Sequence, residues 1–297
     1  MSPLEQPHEE ASRQDLLATL ETTTGTARLP ILLALLRQHF HRLPAATARE
    51  VATEALTLAQ AENDAAAQGT ALTSLGLVDL YSGARDTATE YFHRALAVYE
   101  GLNHTVGMTN QFINLGIAYR KGDPQKSLQF MRQALAFIDE HDDERLAGCY
   151  NGIGSAYLEL EQWEEAAQEF QRTRRHANAC GDRQLAAGAL QNEGIAQRHL
   201  GNLTHAIAAL EAALGLARTT GFPRLTCGVL GSLGSTRLAQ GRLEEAKEAA
   251  SESLSIAEEV GAMDFRDDTL AVLVQICEKL GDEEQARSYS ELLTRSN

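Results

Sequence analysis

Lysine is scarce in this chain: of 26 basic residues only Lys121, Lys126, Lys247 and Lys279 are lysines, set against 41 acidic residues. With a net charge of −15, the chain lacks the concentrated cationic surface that releases counterions from a phosphate backbone, so no nucleic-acid partner is expected. Lysine-poor, alanine- and leucine-rich composition points to a GC-rich bacterial genome. Long apolar runs are also missing. The densest, Ile31 to Leu36, is far too short to span a bilayer, and the opening MSPLEQPHEE has no signal-peptide layout; no membrane partner and a cytoplasmic location are expected. Cys149, Cys180, Cys227 and Cys277 stand far apart with no C-x-x-C among them, which argues against a disulfide framework or a zinc site and leaves them as small core residues. His39 and His41, two apart on an expected helix, point to different faces and do not chelate one metal. No phosphate-binding loop, H-E-x-x-H, G-x-S-x-G or EF-hand loop is present, so the chain is expected to be neither an enzyme nor a cofactor protein.

What is present is a repeat. SLGLVDLYSGARDTATEYFHRAL, NLGIAYRKGDPQKSLQFMRQAL, GIGSAYLELEQWEEAAQEFQRT, NEGIAQRHLGNLTHAIAALEAAL and SLGSTRLAQGRLEEAKEAASESL align as one unit. Their landmark glycines, Gly76, Gly116, Gly154, Gly194 and Gly234, are separated by 40, 38, 40 and 40 residues, a regularity that means a solenoid. Val274 takes the glycine's place one period later and Leu36 one period earlier, making seven units with the outer two degenerate. Apolar residues recur at three and four within each unit, and the pattern breaks near Gly83, Gly122, Gly201, Gly241 or Gly281, so each unit is a helix pair. Small residues follow at Ala88, Ala166, Ala206, Ala246 and Ala286, and again at Ala95, Ala213 and Ser253. Small residues on two facing helices allow close approach, which is a reason to keep a glycine that costs about 1 kcal/mol of helix propensity relative to Ala.

Through these residues, with Tyr119 and Tyr157 three after the landmark and Phe92 and Phe170 on the second helices, the chain resembles the tetratricopeptide repeat (TPR) family. Its long period is similar to that of bacterial signal-transduction regulators, the maltose-activator type among them, and of kinesin light chain. The resemblance implies an all-α fold, a right-handed TPR superhelix (α-solenoid) of about seven antiparallel helix pairs. Residues 1–25 are expected as a polar tail and capping helix whose Leu16, Leu17 and Leu20 cover the apolar Leu29–Leu36 segment. Residues 26–297 form a single solenoid domain with repeats near 26–65, 66–104, 105–143, 144–182, 183–222, 223–262 and 263–297. Thr173 and Leu293 depart from the small-residue pattern, and the repeat holding Gly122, Asp123 and Pro124 is shortened.

The family also implies which positions line a concave groove. Along the first helices these include Thr73, Ser74 and Tyr81; Asn110, Ile113, Asn114, Ile117, Arg120 and Lys121; Asn151, Ser155 and Glu159; Gln191, Asn192, Ile195, Arg198 and His199; and Ser232 and Ser235, with Arg37 before them and Gln275 after. Asparagine is a mediocre helix former, yet Asn110, Asn114, Asn151 and Asn192 recur at near-equivalent places. A carboxamide offers two donors and an acceptor, which suits holding the backbone of an extended peptide, while Arg120, Lys121 and Arg198 suit a carboxylate. The expected peptide-binding set is therefore Asn110, Asn114, Ile117, Arg120, Lys121, Asn151, Gln191, Asn192, Ile195 and Arg198. The expected partner is a protein or peptide ligand. The alternative is a regulatory sensor for a small signalling molecule or peptide that controls an output partner. Solenoids also pair through terminal repeats or convex faces, and a homodimer is the self-association this chain would form. Arg172, Arg174, Arg175 and His176 make one basic cluster, expected on an outward, solvated face.

Overall fold

A computed structural model describes residues 5–294, with side chains from residue 12 onward. The first four residues, where a loose tail is expected, and Arg295, expected to end the last helix, lie outside the described residues. Fifteen α-helices and two short 3-10 turns make up the described chain. Helix α1 (Glu5–Thr22) stands alone, and seven pairs follow: α2 (Leu29–Gln38) with α3 (Ala45–Ala61), α4 (Ala65–Tyr81) with α5 (Arg85–Gly101), α6 (Thr105–Tyr119) with α7 (Pro124–Leu135), α8 (Asp143–Glu159) with α9 (Trp163–Cys180), α10 (Arg183–His199) with α11 (Leu203–Thr220), α12 (Pro223–Gln240) with α13 (Leu243–Val260), and α14 (Met263–Leu280) with α15 (Glu283–Thr294). Backbone proximity divides them into two compact units, Met1–Ile138 and Asp139–Asn297.

Helix ends are set by local chemistry. Asp64, Asp123, Asp142 and Asp182 each accept a hydrogen bond from the backbone N–H three residues on, satisfying a donor that the first turn leaves unpaired. The Lys126 N–H that Asp123 accepts holds its carboxyl below the ordinary value. Between helices the chain reverses through left-handed residues, mostly glycines such as Gly181 and Gly241 at φ 79° and 81°.

Packing explains the landmark glycines. A Cβ added to Gly76 would stand 2.5 Å from the Phe92 ring, one on Gly116 2.8 Å from Met131, one on Gly154 3.0 Å from Phe170, and one on Gly194 2.7 Å from Leu210. Each glycine is thus the socket for a large side chain on the second helix of its own pair. Phe92, Met131, Phe170 and Leu210 are almost wholly buried. In the pair α12–α13 the opposing residue is Ala250, and backbone itself approaches: Ala246 O would lie 3.3 Å from a Cβ on Gly234.

Within each unit, first helices also touch the next first helices: α2 with α4 and α4 with α6 in the first unit, α8 with α10, α10 with α12 and α12 with α14 in the second. In the first unit α1 lays Leu16, Leu17 and Leu20 against a core of Leu29, Leu32, Leu35 and Leu36. Arg28 reinforces the contact, donating to Leu20 O at 2.6 Å and to Glu54 of α3 at 2.9 Å.

Two expectations need correction, and a third gains detail. Cys149, Cys227 and Cys277 are buried, but Cys180 is exposed at the end of α9. His39 and His41 are not on a helix: α2 stops at Gln38, and residues Phe40–Arg42 form a 3-10 turn. Pro44 disfavours helical backbone at the residue before it, and Leu43 is extended, which separates this turn from α3. The basic cluster on α9 keeps Arg172 and Arg175 exposed, as expected of an outward face, while three of its members also find partners. Arg172 pairs with Glu169 at 2.9 Å, and Arg174 approaches the buried Glu193 at 3.8 Å. His176 meets Asp143 at 2.7 Å and stacks on Tyr150.

Candidate functional site

The expected site residues fall in both units. In the first, Asn110, Asn114 and Ile117 ride on α6. Asn110 is exposed, Asn114 half-buried, and Ile117 is 42% exposed, high for an isoleucine. Arg120 and Lys121 stand past the helix end at Tyr119, on the turn that Gly122, Asp123 and Pro124 impose. Arg120 buries its Nε without a hydrogen-bond partner. In the second unit Asn151 is half-buried on α8, and Gln191, Asn192, Ile195 and Arg198 are half-buried on α10.

The side chains of Asn110, Asn114, Asn151 and Asn192 form no hydrogen bond with any described residue. Their amides are spent on nothing within the fold. Gln191 differs, donating to Ser232 Oγ of α12 at 3.3 Å.

The second unit gathers three of these residues around one hollow. Gln191, Ile195 and Arg198 line a recess of about 220 Å³ together with Ser232, Ser235, Phe265 and Asp268. Arg198 has no carboxylate partner among the described residues. Its Nε is buried without an acceptor, and burial pulls the guanidinium below its ordinary pKa. A positive charge partly stripped of water and left unpaired gains from any anion that reaches it. Asp268 offers the opposite sign on the other wall, so the recess is dipolar. Phe265 carries no sequence signal. Asp268 stands six residues before Val274, as Asn110 stands before Gly116, and the missing landmark glycine hides that register.

Beside the recess, Nη2 of Arg198 donates to Nε2 of His199 at 3.3 Å, and the His199 ring stacks on Trp163, centroids 4.0 Å apart. Burial first, and then the Arg198 cation, lower the pKa of His199, while Glu161 partly opposes them. An unfolded histidine takes its proton near pH 6.5; the folded one takes it at lower pH, so its contribution to stability is present above about pH 6.5 and declines as pH falls. Trp163 is the sole tryptophan and reports this event. Its emission is expected to titrate with a midpoint below about 6.5, moving upward in Arg198→Gln. A midpoint unmoved by that substitution would show that the cation exerts no influence on the ring.

In the first unit Asn110 of the expected set lines a half-open cavity bounded by the turn after α2, by α4 and by α6. Thr73, Ser74 and Arg37, also expected on the groove, line it too. Gln111, His104 and Tyr99 join them without a sequence signal, Gln111 and Tyr99 because they sit at positions where the repeat pattern expects packing, and His39, expected on a helix, reaches the wall from the turn after α2. No helix among the described residues is long and apolar enough to cross a membrane.

Comparisons with known proteins agree with this architecture. The quorum sensor NprR from B. thuringiensis, in its apo form, superposes with a TM-score of 0.68 at 15% identity, covering 99% of this chain and 94% of that one. A Rap protein complexed with competence and sporulation factor gives 0.68 at 15%, covering 98% and 92%. A signal-transduction ATPase with a tetratricopeptide repeat sensor from Pyrococcus horikoshii gives 0.69 at 14%, covering 99% of this chain and 46% of that one. At such identities the likeness concerns the fold alone, an all-α tetratricopeptide superhelix. No curated protein matches the sequence. The family described as the MalT-like TPR region matches residues 116–296, more than half of the chain, from the landmark Gly116 onward. This chain belongs to the MalT-like TPR region family.

Proposed function

We propose that the chain is a non-catalytic binding module that holds an extended peptide, a protein tail or a partner helix along the concave, first-helix faces of its repeats. One observation carries the reading: the carboxamides of Asn110, Asn114, Asn151 and Asn192 are left without partners inside the fold. Side chains that serve stability in a helical array are paired, as Gln191 is; unpaired amides on half-buried surface are available to a ligand's backbone. Arg198 and Arg120 add charges that accept a carboxylate, and Ile117 and Ile195 supply shallow apolar contacts. The structural neighbours support a ligand of this kind, since NprR has been solved in complex with its cognate peptide and a Rap protein with competence and sporulation factor.

A second reading, a regulatory sensor of a small signalling molecule or signalling peptide, is favoured by the half-open cavity of the first unit. Both readings share a non-covalent mechanism. The ligand stabilises the conformations that fit it and shifts the population toward them.

An arrayed library of 12-residue peptides tests the first reading. Wild type is expected to retain a subset of peptides through their backbone, so that N-methylation at alternate positions abolishes capture while single side-chain alanines are tolerated. Asn192→Ala is expected to cost about 0.5–1.5 kcal/mol of binding, the net worth of one neutral hydrogen bond, and Arg198→Glu about 2 kcal/mol or more where a carboxylate is held. Capture that both substitutions leave unchanged would remove the Asn and Arg set from the binding face.

A further inference from the structure

The half-open cavity of the first unit has a volume of about 750 Å³, within the range of sites that take small organic ligands. The ring of Tyr99 forms its floor, clamped between α4 and α6. A Cβ on Gly69 would come within 2.7 Å of that ring, and one on Gly107 within 2.5 Å, so both glycines are needed to seat it. Leu77 and Val106 extend the apolar surface, and Val106 is 48% exposed there.

The fixed charges of the wall have one sign. The wall includes Arg37, Arg42, His39, His41 and His104, and neither Asp nor Glu, in a chain whose net charge is −15. Among the described residues Arg37 has no ion pair; its Nη2 donates to Thr70 Oγ1 at 3.3 Å. His104 Nδ1 accepts the Gly107 N–H at 2.9 Å, which leaves Nε2 as the protonated nitrogen and a donor. Deeper in the wall, Gln111 is 1% exposed and donates to Thr73 Oγ1 at 3.0 Å, with its Oε1 buried and unpartnered. His39, 5% exposed, likewise buries Nε2 without a partner.

The geometry points to a binding site for a small organic anion, an apolar body a few carbons long that ends in a single carboxylate. The head is drawn to Arg37, whose planar guanidinium matches a carboxylate and meets no competing acid in the wall. The body covers Tyr99 between Leu77 and Val106. One unpaired guanidinium on a mostly apolar floor suits a monoanion better than a polyphosphate, which needs several fixed cations. This site deepens the sensor reading and rests on the first-helix faces being binding faces. The same chemistry has two sources: a free aliphatic acid, or the C-terminus of a peptide with an apolar last residue.

The test uses the full chain and 8-anilinonaphthalene-1-sulfonate, an apolar ring system bearing one anionic head, as a fluorescent probe. Wild type is expected to bind it in one saturable class, displaced by octanoate at concentrations where octanol has no effect. Arg37→Glu is expected to weaken the probe at least tenfold with circular dichroism and melting unchanged; if that variant melts early, Arg37→Gln is used and a threefold or greater weakening is expected. N-acetyl-Leu-Leu as the acid and as the amide separates the sources. Displacement by the acid below the octanoate concentration assigns a peptide terminus, and the reverse order assigns a free acid. The site is refuted if wild type shows no saturable binding, if octanol displaces as well as octanoate, or if removing the Arg37 charge changes nothing. The peptide array uses variants of the second unit, so either test fails without affecting the other.

Discussion

Phe92→Ala is expected to destabilise the α4–α5 pair by about 3–5 kcal/mol, the usual cost of emptying an aromatic-sized space in a core. Phe92 is wholly buried, and its ring fills the socket over Gly76. The reciprocal change, Gly76→Ala, places a methyl 2.5 Å from that ring. Overpacking of this kind costs about 1–3 kcal/mol, offset by about 1 kcal/mol of helix propensity, so a net loss is expected. In the Phe92→Ala background the methyl meets no ring and only the propensity gain remains; there Gly76→Ala is expected to stabilise. A substitution that changes sign with its neighbour is the signature of direct contact. Hydrogen exchange of the α4 and α5 amides is the appropriate readout, because stability in a repeat array is local. Additive effects in the double variant would refute the socket.

Leu16→Glu/Leu20→Glu is expected to lower the stability of the first unit by about 2–4 kcal/mol, from lost apolar burial and from carboxylates placed against a leucine core. The same change uncovers the α2 stripe of Leu29, Leu32, Leu35 and Leu36, buried beneath α1 and its neighbours. Terminal repeats need a polar outer face to stay soluble, and an uncovered apolar stripe promotes association. Light scattering is expected to show mass rising with concentration above the 32.3 kDa monomer in the variant more steeply than in wild type. A variant that melts and scatters as wild type does would show that α1 contributes no cap.

Much of this fold could be read from the sequence because a repeat prints the same packing problem several times. One glycine at a helical position is uninformative, but Gly76, Gly116, Gly154 and Gly194 at a constant phase announce a close approach, and each sits against a large residue. What escaped the reading lies where the period fails. The 3-10 turn before Pro44, which lines the first cavity, has no period of its own, so helical spacing does not place His39 and His41. Val274 replaces a landmark glycine and conceals the phase of Asp268. Cys180 shares the residue type of three buried cysteines, but as the last residue of α9 it faces outward. The candidate site was less visible than the fold, because only the half-buried positions follow from periodicity. Whether an amide there is paired, as Gln191 is, or unpaired, as Asn192 is, depends on the neighbouring repeat.

The glycine sockets also bear on how such a gene changes. Gly76 with Phe92, Gly116 with Met131, Gly154 with Phe170 and Gly194 with Leu210 each lie inside one unit of about 40 residues, never across two. A duplication or loss of a whole repeat therefore carries both halves of these four fits, whereas the Tyr99 ring, seated against Gly107 of the next repeat, needs its neighbour. A recombination joint between two helices of a pair separates them: joining α8 to α13, for instance, would set Gly154 opposite Ala250 and leave the volume of a phenyl ring empty. For these four fits, unequal exchange costs nothing at the turns between pairs and is penalised within them. Repeat number can drift over generations while the internal fit of each pair is inherited intact.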